Sequence, residues 1–459
     1  MSHVDRTRMP VPGPARSFAF PTMVRRLLDN GLEVRAVSHH SVPVTATVLL
    51  VSGGTASDAP GQAGLMSTTA DLLDEGSHGA SALEMSERIA RLGGDLDVDV
   101  SHDATTLSFI TLDRYLEDGL VLLRDVAVHP NLSEHDFDRV RRLRLERLRQ
   151  LRDLPGALAD RAFAQVIYQS HPYAQPGFGT SASIGALSVD DVRQMHRRVF
   201  RPSGATLVVA GDRPAEVLLD AAERLWSSWQ ASDDEGAVVR DRGRVEPPSH
   251  PSHMLSTWHR PGAAQSELRI GQVSVSRATP DYHALLLLNA VLGGQFVSRL
   301  NMNLRESKGY TYGVRTGFDV RRGKGPFVMQ TSVGTGVTVS ALREALDELR
   351  AIREARPVTA DELARAQSSV ALGYPRGFET VQQLARGAAS LAHHELPDSY
   401  FEDFVPALMR VTLDEVHAAA QRVLDPARWA VVVVGDMDHG GEGLDSLGLG
   451  PAAPVHLAL

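Results

Sequence analysis

Arg201-Pro202-Ser203-Gly204-Ala205-Thr206-Leu207-Val208-Val209-Ala210-Gly211-Asp212 reads as a turn, an apolar strand and a Gly-Asp stop. The chain repeats that plan at Asp425-Pro426-Ala427-Arg428-Trp429-Ala430-Val431-Val432-Val433-Val434-Gly435-Asp436. A recurrence at this distance implies a duplication of roughly 220 residues. Each half then reads as helices on a mostly antiparallel sheet, the α+β class.

Outward from the first copy, Asp29-Asn30-Gly31 lies between two apolar runs, a hairpin signal in which both central residues take positive φ. Val42 to Val51 alternates as a strand, and Gly64 to Ser77 reads as a helix with Leu65, Thr69, Leu72 and Leu73 on one face. Ser81 and Glu84 form a capping box for the next helix, and Ser133 and Asp136 cap a later one whose exposed face is dense in arginine. Helices are expected again at 157–168 and 188–199. The polar, proline-bearing interval 231–252 reads as a linker. The same order of strand, helix, Gly-rich bend, strands and helices follows it. The expected organisation is a flexible arm (1–20), a first half (21–230), the linker (231–252), a second half (253–437) and a flexible Gly-rich tail (438–459).

The chain has 459 residues and a net charge of -9, which argues against a nucleic-acid partner, since such a partner selects a basic face. The absence of Cys removes disulfides, thiolate nucleophiles and Cys-ligated zinc. Residues 1–19 lack the apolar core of a secretory signal, and no stretch has the apolar length of a membrane span. The expected compartment is the cytoplasm.

Chemistry concentrates in Gly293 to Tyr312. Gly293-Gly294 stops an apolar helical run, a short amphipathic turn carries Arg305, and Gly309 releases a strand from Tyr310 to Phe318. Arg305 and Tyr312 fall on opposite sides of a tight bend, where a guanidinium and a phenol could bind a peptide carbonyl or carboxylate. An arginine on a helix dipole and a tyrosine in a half-buried strand would give the same spacing. The histidines offer no ligand set. His250 and His253 flank Pro251, and the adjacent pairs His39-His40 and His393-His394 diverge.

Several of these features stand together in one order. They are the Leu28-Asp29-Asn30-Gly31-Leu32 hairpin, His171-Pro172-Tyr173 with Gly177 and Gly179, the two Gly-Asp strand ends, and Leu304-Arg305-Glu306 through Gly309-Tyr310-Thr311-Tyr312. From about residue 21 to 436 the chain resembles the pitrilysin/insulinase zinc peptidases, in the branch of mitochondrial processing peptidase and its bacterial relatives. The resemblance implies two homologous halves closing like a clam shell around a chamber. Active members carry His-x-x-Glu-His on the first long helix, two imidazoles one turn apart on zinc and a Glu as base, with a third ligand about 75 residues later. Here the motif positions hold Ser67, Ala70 and Asp71, and Glu146 falls near the third ligand. An acidic residue on an arginine-rich helix also reads as an ordinary surface pair. No metal site is therefore expected in this chain. Arg305 and Tyr312 match the spacing of the family pair that grips the substrate backbone and its oxyanion. The resemblance thus implies a subunit without zinc, acting on peptides beside a homologous partner that holds the zinc. The alternative is an inert scaffold or peptide-binding homologue. The use of Asp71 and Asp74, on the face where the ligands would stand, is left open.

Overall fold

The computed structural model describes residue 13, residues 18–231 and residues 245–458. The strands are β1 (Met23–Leu27), β2 (Glu33–Ser38), β3 (Val44–Ser52), β4 (Gly76–Ser77), β5 (Ala80–Ser81), β6 (Asp95–Val100), β7 (Ala104–Leu112) and β8 (Ala205–Gly211) in the first half. The second half holds β9 (Leu255–His259), β10 (Gln265–Val273), β11 (Val314–Phe318), β12 (Pro326–Gly334), β13 (Ala430–Gly435) and β14 (Ala453–Pro454). They form two six-stranded sheets, ordered β1-β2-β8-β3-β7-β6 and β11-β12-β10-β13-β9-β14, with β4 and β5 as a separate pair. The repeated stretches are β8 and β13. Each pairs in parallel on one side (β2, β9) and antiparallel on the other (β3, β10), so five strands of each sheet share one topology; the outer strands differ, β1 lying antiparallel to β2 and β14 parallel to β9.

Every residue of β8 and β13 is buried, which requires cover on both faces of each sheet. Four helices explain the arrangement: α1 (Leu65–Asp71), α2 (Glu134–Leu151), α3 (Pro155–Tyr168) and α4 (Val381–His393). One face of each sheet packs on helices of its own half. The other face is covered by a helix from the opposite half. α3 lays Ala159, Ala162, Phe163 and Val166 against Val432 and Val434 of the second sheet. α4 lays Leu384, Ala385 and Ala388 against Val48, Val208 and Ala210 of the first. The alanines let each helix approach closely. Gly271 serves the same end, since a Cβ there would lie 3.0 Å from the Phe163 ring and 2.0 Å from the Phe327 carbonyl oxygen. The two halves are therefore interlocked, and the sequence boundaries 21–230 and 253–437 do not describe separable bodies.

The tips of the equivalent hairpins β6–β7 and β11–β12 also meet. The Asp103 carboxylate accepts from the Tyr173 hydroxyl at 2.6 Å and from the Arg322 backbone N–H at 3.0 Å, while Gly323 N–H donates to the Tyr173 oxygen at 3.1 Å.

Three local expectations need correction. At the first hairpin Gly31 alone takes positive φ (88°), and its N–H closes a turn on the Leu28 carbonyl. Asn30 instead donates to the Trp226 and Trp229 carbonyls at 2.9 Å, tying the hairpin to a helix end. Within the expected flexible arm, Phe18 and Phe20 stack on Phe378 and Phe401 with ring centroids 4.6 and 4.9 Å apart; residues 1–12 and 14–17 lie outside the described residues. The expected flexible tail is packed. Leu444, Leu447 and Leu449 are buried, and β14 adds to the β9 edge, which otherwise presents unpaired backbone groups. Most of the expected linker, residues 232–244, lies outside the described residues.

Candidate functional site

The metal-motif positions fall on α1, which is only seven residues long. Asp58 builds its start, accepting the Gly64 and Met66 N–H groups at 2.8 Å each, and burial pushes the Asp58 carboxyl up to about 6. Ser67 is half-buried, Ala70 is buried and Asp71 is exposed. Asp71 is ion-paired with Arg144 of α2, whose side chain is 3% exposed. The Arg144 guanidinium also lies 4.2 Å from the Phe178 ring centroid and donates to the Phe178 carbonyl at 3.3 Å.

These residues do not fit zinc. A hydroxyl and a carboxylate stand where two imidazoles belong, a methyl stands at the base position, and a fixed positive charge adjoins the remaining carboxylate. Glu146, near the third-ligand position, is exposed on α2. The α2 residues turned inward are Phe137, Val140, Arg144 and Leu148, and Arg144 is the one that reaches Asp71. Its spacing of four from both Val140 and Leu148 was the available signal. Asp74 is exposed beyond the C-terminal end of α1.

Arg305 and Tyr312 are brought together. Both line an open cleft of about 710 Å³ with Phe296, Arg315, Gln330 and Ser332. The backbone that presents them differs from the expected helix–turn–strand. The apolar helical run does end at Gly293-Gly294, but its last turn is π-helical, over Ala290–Gly294, with Gln295 already extended. A Cβ on Gly293 would lie 2.6 Å from the Thr316 side chain, so this glycine serves close packing on β11. A second π-helical segment, Asn301–Ser307, carries Arg305; such segments are rare and often mark functional sites. The strand starts at Val314 rather than Tyr310, because Thr311 folds its hydroxyl back on Gly313, accepting from its N–H and donating to its carbonyl, both at 3.1 Å.

The two side chains are held differently. Arg305 is 14% exposed, sits 3.4 Å from the Phe296 ring centroid, and donates from Nε to Glu306 at 2.9 Å. Tyr312 is 96% exposed, so the half-buried strand reading of this residue fails. The cleft thus offers a stacked guanidinium and a free-standing phenol beside the open edge strand β11.

A second cleft, of about 590 Å³, lies between the β6–β7 face and α4, lined by Asp97, Asp99, His102, Arg321, Arg386 and His394 among others. Burial and the Arg321 charge hold His102 down to about 4. Among the described residues, one cluster has metal-like spacing, with His259, Asp436 and Asp438 ligand atoms within 4.8 Å of one another. Sequence reasoning did not single it out. Its hydrogen bonds assign it to structure: His259 Nδ1 accepts the Met437 N–H at 3.0 Å, which leaves the proton of the neutral ring on Nε2. Asp436 is already engaged by Gly262 and Asp438 N–H groups and by His439. No described helix is long and apolar enough to cross a membrane.

Comparison with known proteins agrees with this fold. Residues 34–181 match the family model described as insulinase (peptidase family M16), and residues 186–370 match the peptidase M16 inactive domain. The chain is 24% identical over 415 residues to an uncharacterized zinc protease of Streptomyces coelicolor, covering 88% of this chain and 87% of the relative. It is 22% identical over 385 residues to a non-peptidase homolog of Helicobacter pylori, covering 83% and 86%. The peptidase M16 inactive domain protein from Pseudomonas fluorescens superposes with a TM-score of 0.83 at 23% identity, over 90% of this chain and 98% of that one.

Proposed function

The chain belongs to the insulinase (M16) family of peptidases, and from that premise we propose that it is the zinc-free subunit of a two-chain peptidase. Its partner is a homologous chain with an intact His-x-x-Glu-His motif, and its substrates are extended peptides. The observation that carries this reading is the contrast between the two halves. Asp71–Arg144 stands where a metal centre would be, whereas Arg305 and Tyr312 share one open cleft.

In this reading each residue of the cleft has a task. The Arg305 guanidinium, flat against Phe296, keeps its orientation while its charge attracts a peptide carbonyl. The Tyr312 phenol adds an O–H donor for the oxyanion that develops as the carbonyl is attacked. Glu306 holds Arg305 in the free chain and shares it with the substrate on binding. The peptide lies as an extra strand on an open sheet edge, gaining main-chain hydrogen bonds. Ala70 stands at the motif's base position and offers no group to activate the attacking water, so in this reading hydrolysis needs the partner. We assign the complex to the cytoplasm.

The second reading is a binding subunit without hydrolysis, favoured by the Helicobacter pylori relative described as a non-peptidase homolog. Co-purification with a zinc-bearing homologue, followed by a peptide-cleavage assay with and without a chelator, separates the two. Chelator-sensitive cleavage by the complex supports the first reading, and a stable complex that cleaves no peptide supports the second.

A further inference from the structure

We propose that Asn301 is the positioning residue that fixes Arg305 and Tyr312 relative to each other. This rests on the functional reading of that pair. Asn301 is 4% exposed, although it lies on a surface π-helical segment. Its carboxamide exchanges two hydrogen bonds with the backbone of one residue: Oδ1 accepts the Val314 N–H at 2.9 Å, and Nδ2 donates to the Val314 carbonyl at 2.9 Å. That is the pairing a neighbouring strand would give to the first residue of β11. The second Nδ2 hydrogen is shared between the Gln295 carbonyl and the Ser298 hydroxyl oxygen, each 3.1 Å from the nitrogen.

One side chain therefore ties together three segments of the cleft. Gln295 precedes Phe296, the ring under Arg305. Asn301 itself lies four residues before Arg305 on the same segment. Val314 lies two residues after Tyr312, whose loop is pinned again by the Thr331 hydroxyl on Thr311 and Gly313 at 2.9 Å. Tyr312 has almost no side-chain contacts of its own at 96% exposure. Its position is thus set by its backbone, and Asn301 sets that backbone. No other amino acid of this size offers two donors and an acceptor in one plane. An isosteric aspartate keeps the acceptor for Val314 N–H but turns an oxygen toward the Gln295 and Val314 carbonyls.

The test uses the complex with the zinc-bearing homologue, with kcat/KM on an extended peptide and the affinity for the partner as readouts. Asn301→Asp and Asn301→Ala are measured alone and in the Arg305→Ala/Tyr312→Phe background, with Thr331→Val as a milder disturbance of the same loop. A misplacement of about 1 Å costs up to about 100-fold, so the Asn301 variants are expected to lose about 10- to 100-fold in kcat/KM with partner affinity kept. In the background lacking Arg305 and Tyr312 the same changes are expected to cost less than about twofold, because the pair they position is gone. Thr331→Val is expected to lose about threefold or more, and it carries the test if both Asn301 variants fail to fold. Losses that add fully in that background, or turnover unchanged in every loop variant, overturn the positioning role. If Arg305→Ala and Tyr312→Phe themselves leave turnover unchanged, the functional reading fails, and this inference with it.

Discussion

Asp71 and Arg144, 73 residues apart in the chain, form an ion pair that is buried on one side only: the arginine side chain is 3% exposed and the aspartate 47%. The asymmetry predicts unequal effects of the two deletions. Asp71→Ala strands a buried guanidinium and is expected to cost about 2–3 kcal/mol, below the full cost of breaking a buried pair because water reaches this one. Arg144→Met removes the buried charge, keeps its stem and leaves a solvated carboxylate, so it is expected to cost under about 1 kcal/mol. Denaturant unfolding of the two variants checks the order. Equal losses would mean that the arginine acts through packing alone.

The exchanged helices make the two halves one cooperative unit. Phe163 belongs to the first half in sequence and to the core under the second sheet in space. Phe163→Ala is expected to cost about 3–5 kcal/mol and to lower a single calorimetric transition. Two resolved transitions, with only one of them shifted, would contradict the interlock.

Stability is expected to fall on mild acidification. His102, His196 and His394 are held down to about 4, each chiefly by burial. An unfolded histidine titrates near 6.5, so between about pH 6 and pH 4.5 the unfolded chain binds these three protons and the folded chain does not. Asp58 works in the opposite sense: pushed up to about 6 by burial, it keeps a proton in the folded state that the unfolded state has lost. These four groups together take up about two protons on unfolding, so their share of the stability is full above about pH 6.5 and declines by about 2–3 kcal/mol per pH unit at its steepest. Chemical denaturation at a series of pH values measures the slope. A flat profile from pH 6.5 to 4.5 would show that these histidines are solvated.

The packed tail is expected to contribute to folding. Val455 donates its backbone N–H to Thr257 at 2.9 Å, and Gln165 of α3 donates to the His456 carbonyl at 3.2 Å. Ending the chain at Gly450 removes β14 and opens the β9 edge. The shortened chain is expected to melt about 2–4 °C lower and to aggregate faster above its Tm. An unchanged melting curve would return the tail to the flexible state its composition suggests.

The repeat around β8 and β13 was enough to read the two α+β halves, because an apolar run closed by Gly-Asp leaves the same trace twice. The helix exchange was hidden. Periodicity shows that residues 157–168 have an apolar face, but it does not show which sheet that face covers. The tail was misjudged because its glycines outweigh Leu444, Leu447 and Leu449 in composition, although those leucines are what bury it. At the site, spacing identified Arg305 and Tyr312, yet it missed the π-helical backbone, which has no sequence period of its own. It also missed Asn301, whose role is a set of hydrogen bonds rather than a pattern. Arg144 was lost among its neighbours: one of many arginines on α2, it is set apart by its burial and, in the sequence, only by its spacing of four from Val140 and Leu148.

The most direct measurement of the central claim is peptide turnover by the complex with the zinc-bearing homologue, comparing the native chain with Arg305→Ala. Loss of one oxyanion donor typically costs about 10²–10³ in rate, so the variant is expected to lose at least about tenfold while the native chain alone stays inactive. Unchanged turnover with Arg305→Ala, or chelator-sensitive hydrolysis by this chain without a partner, would contradict the account.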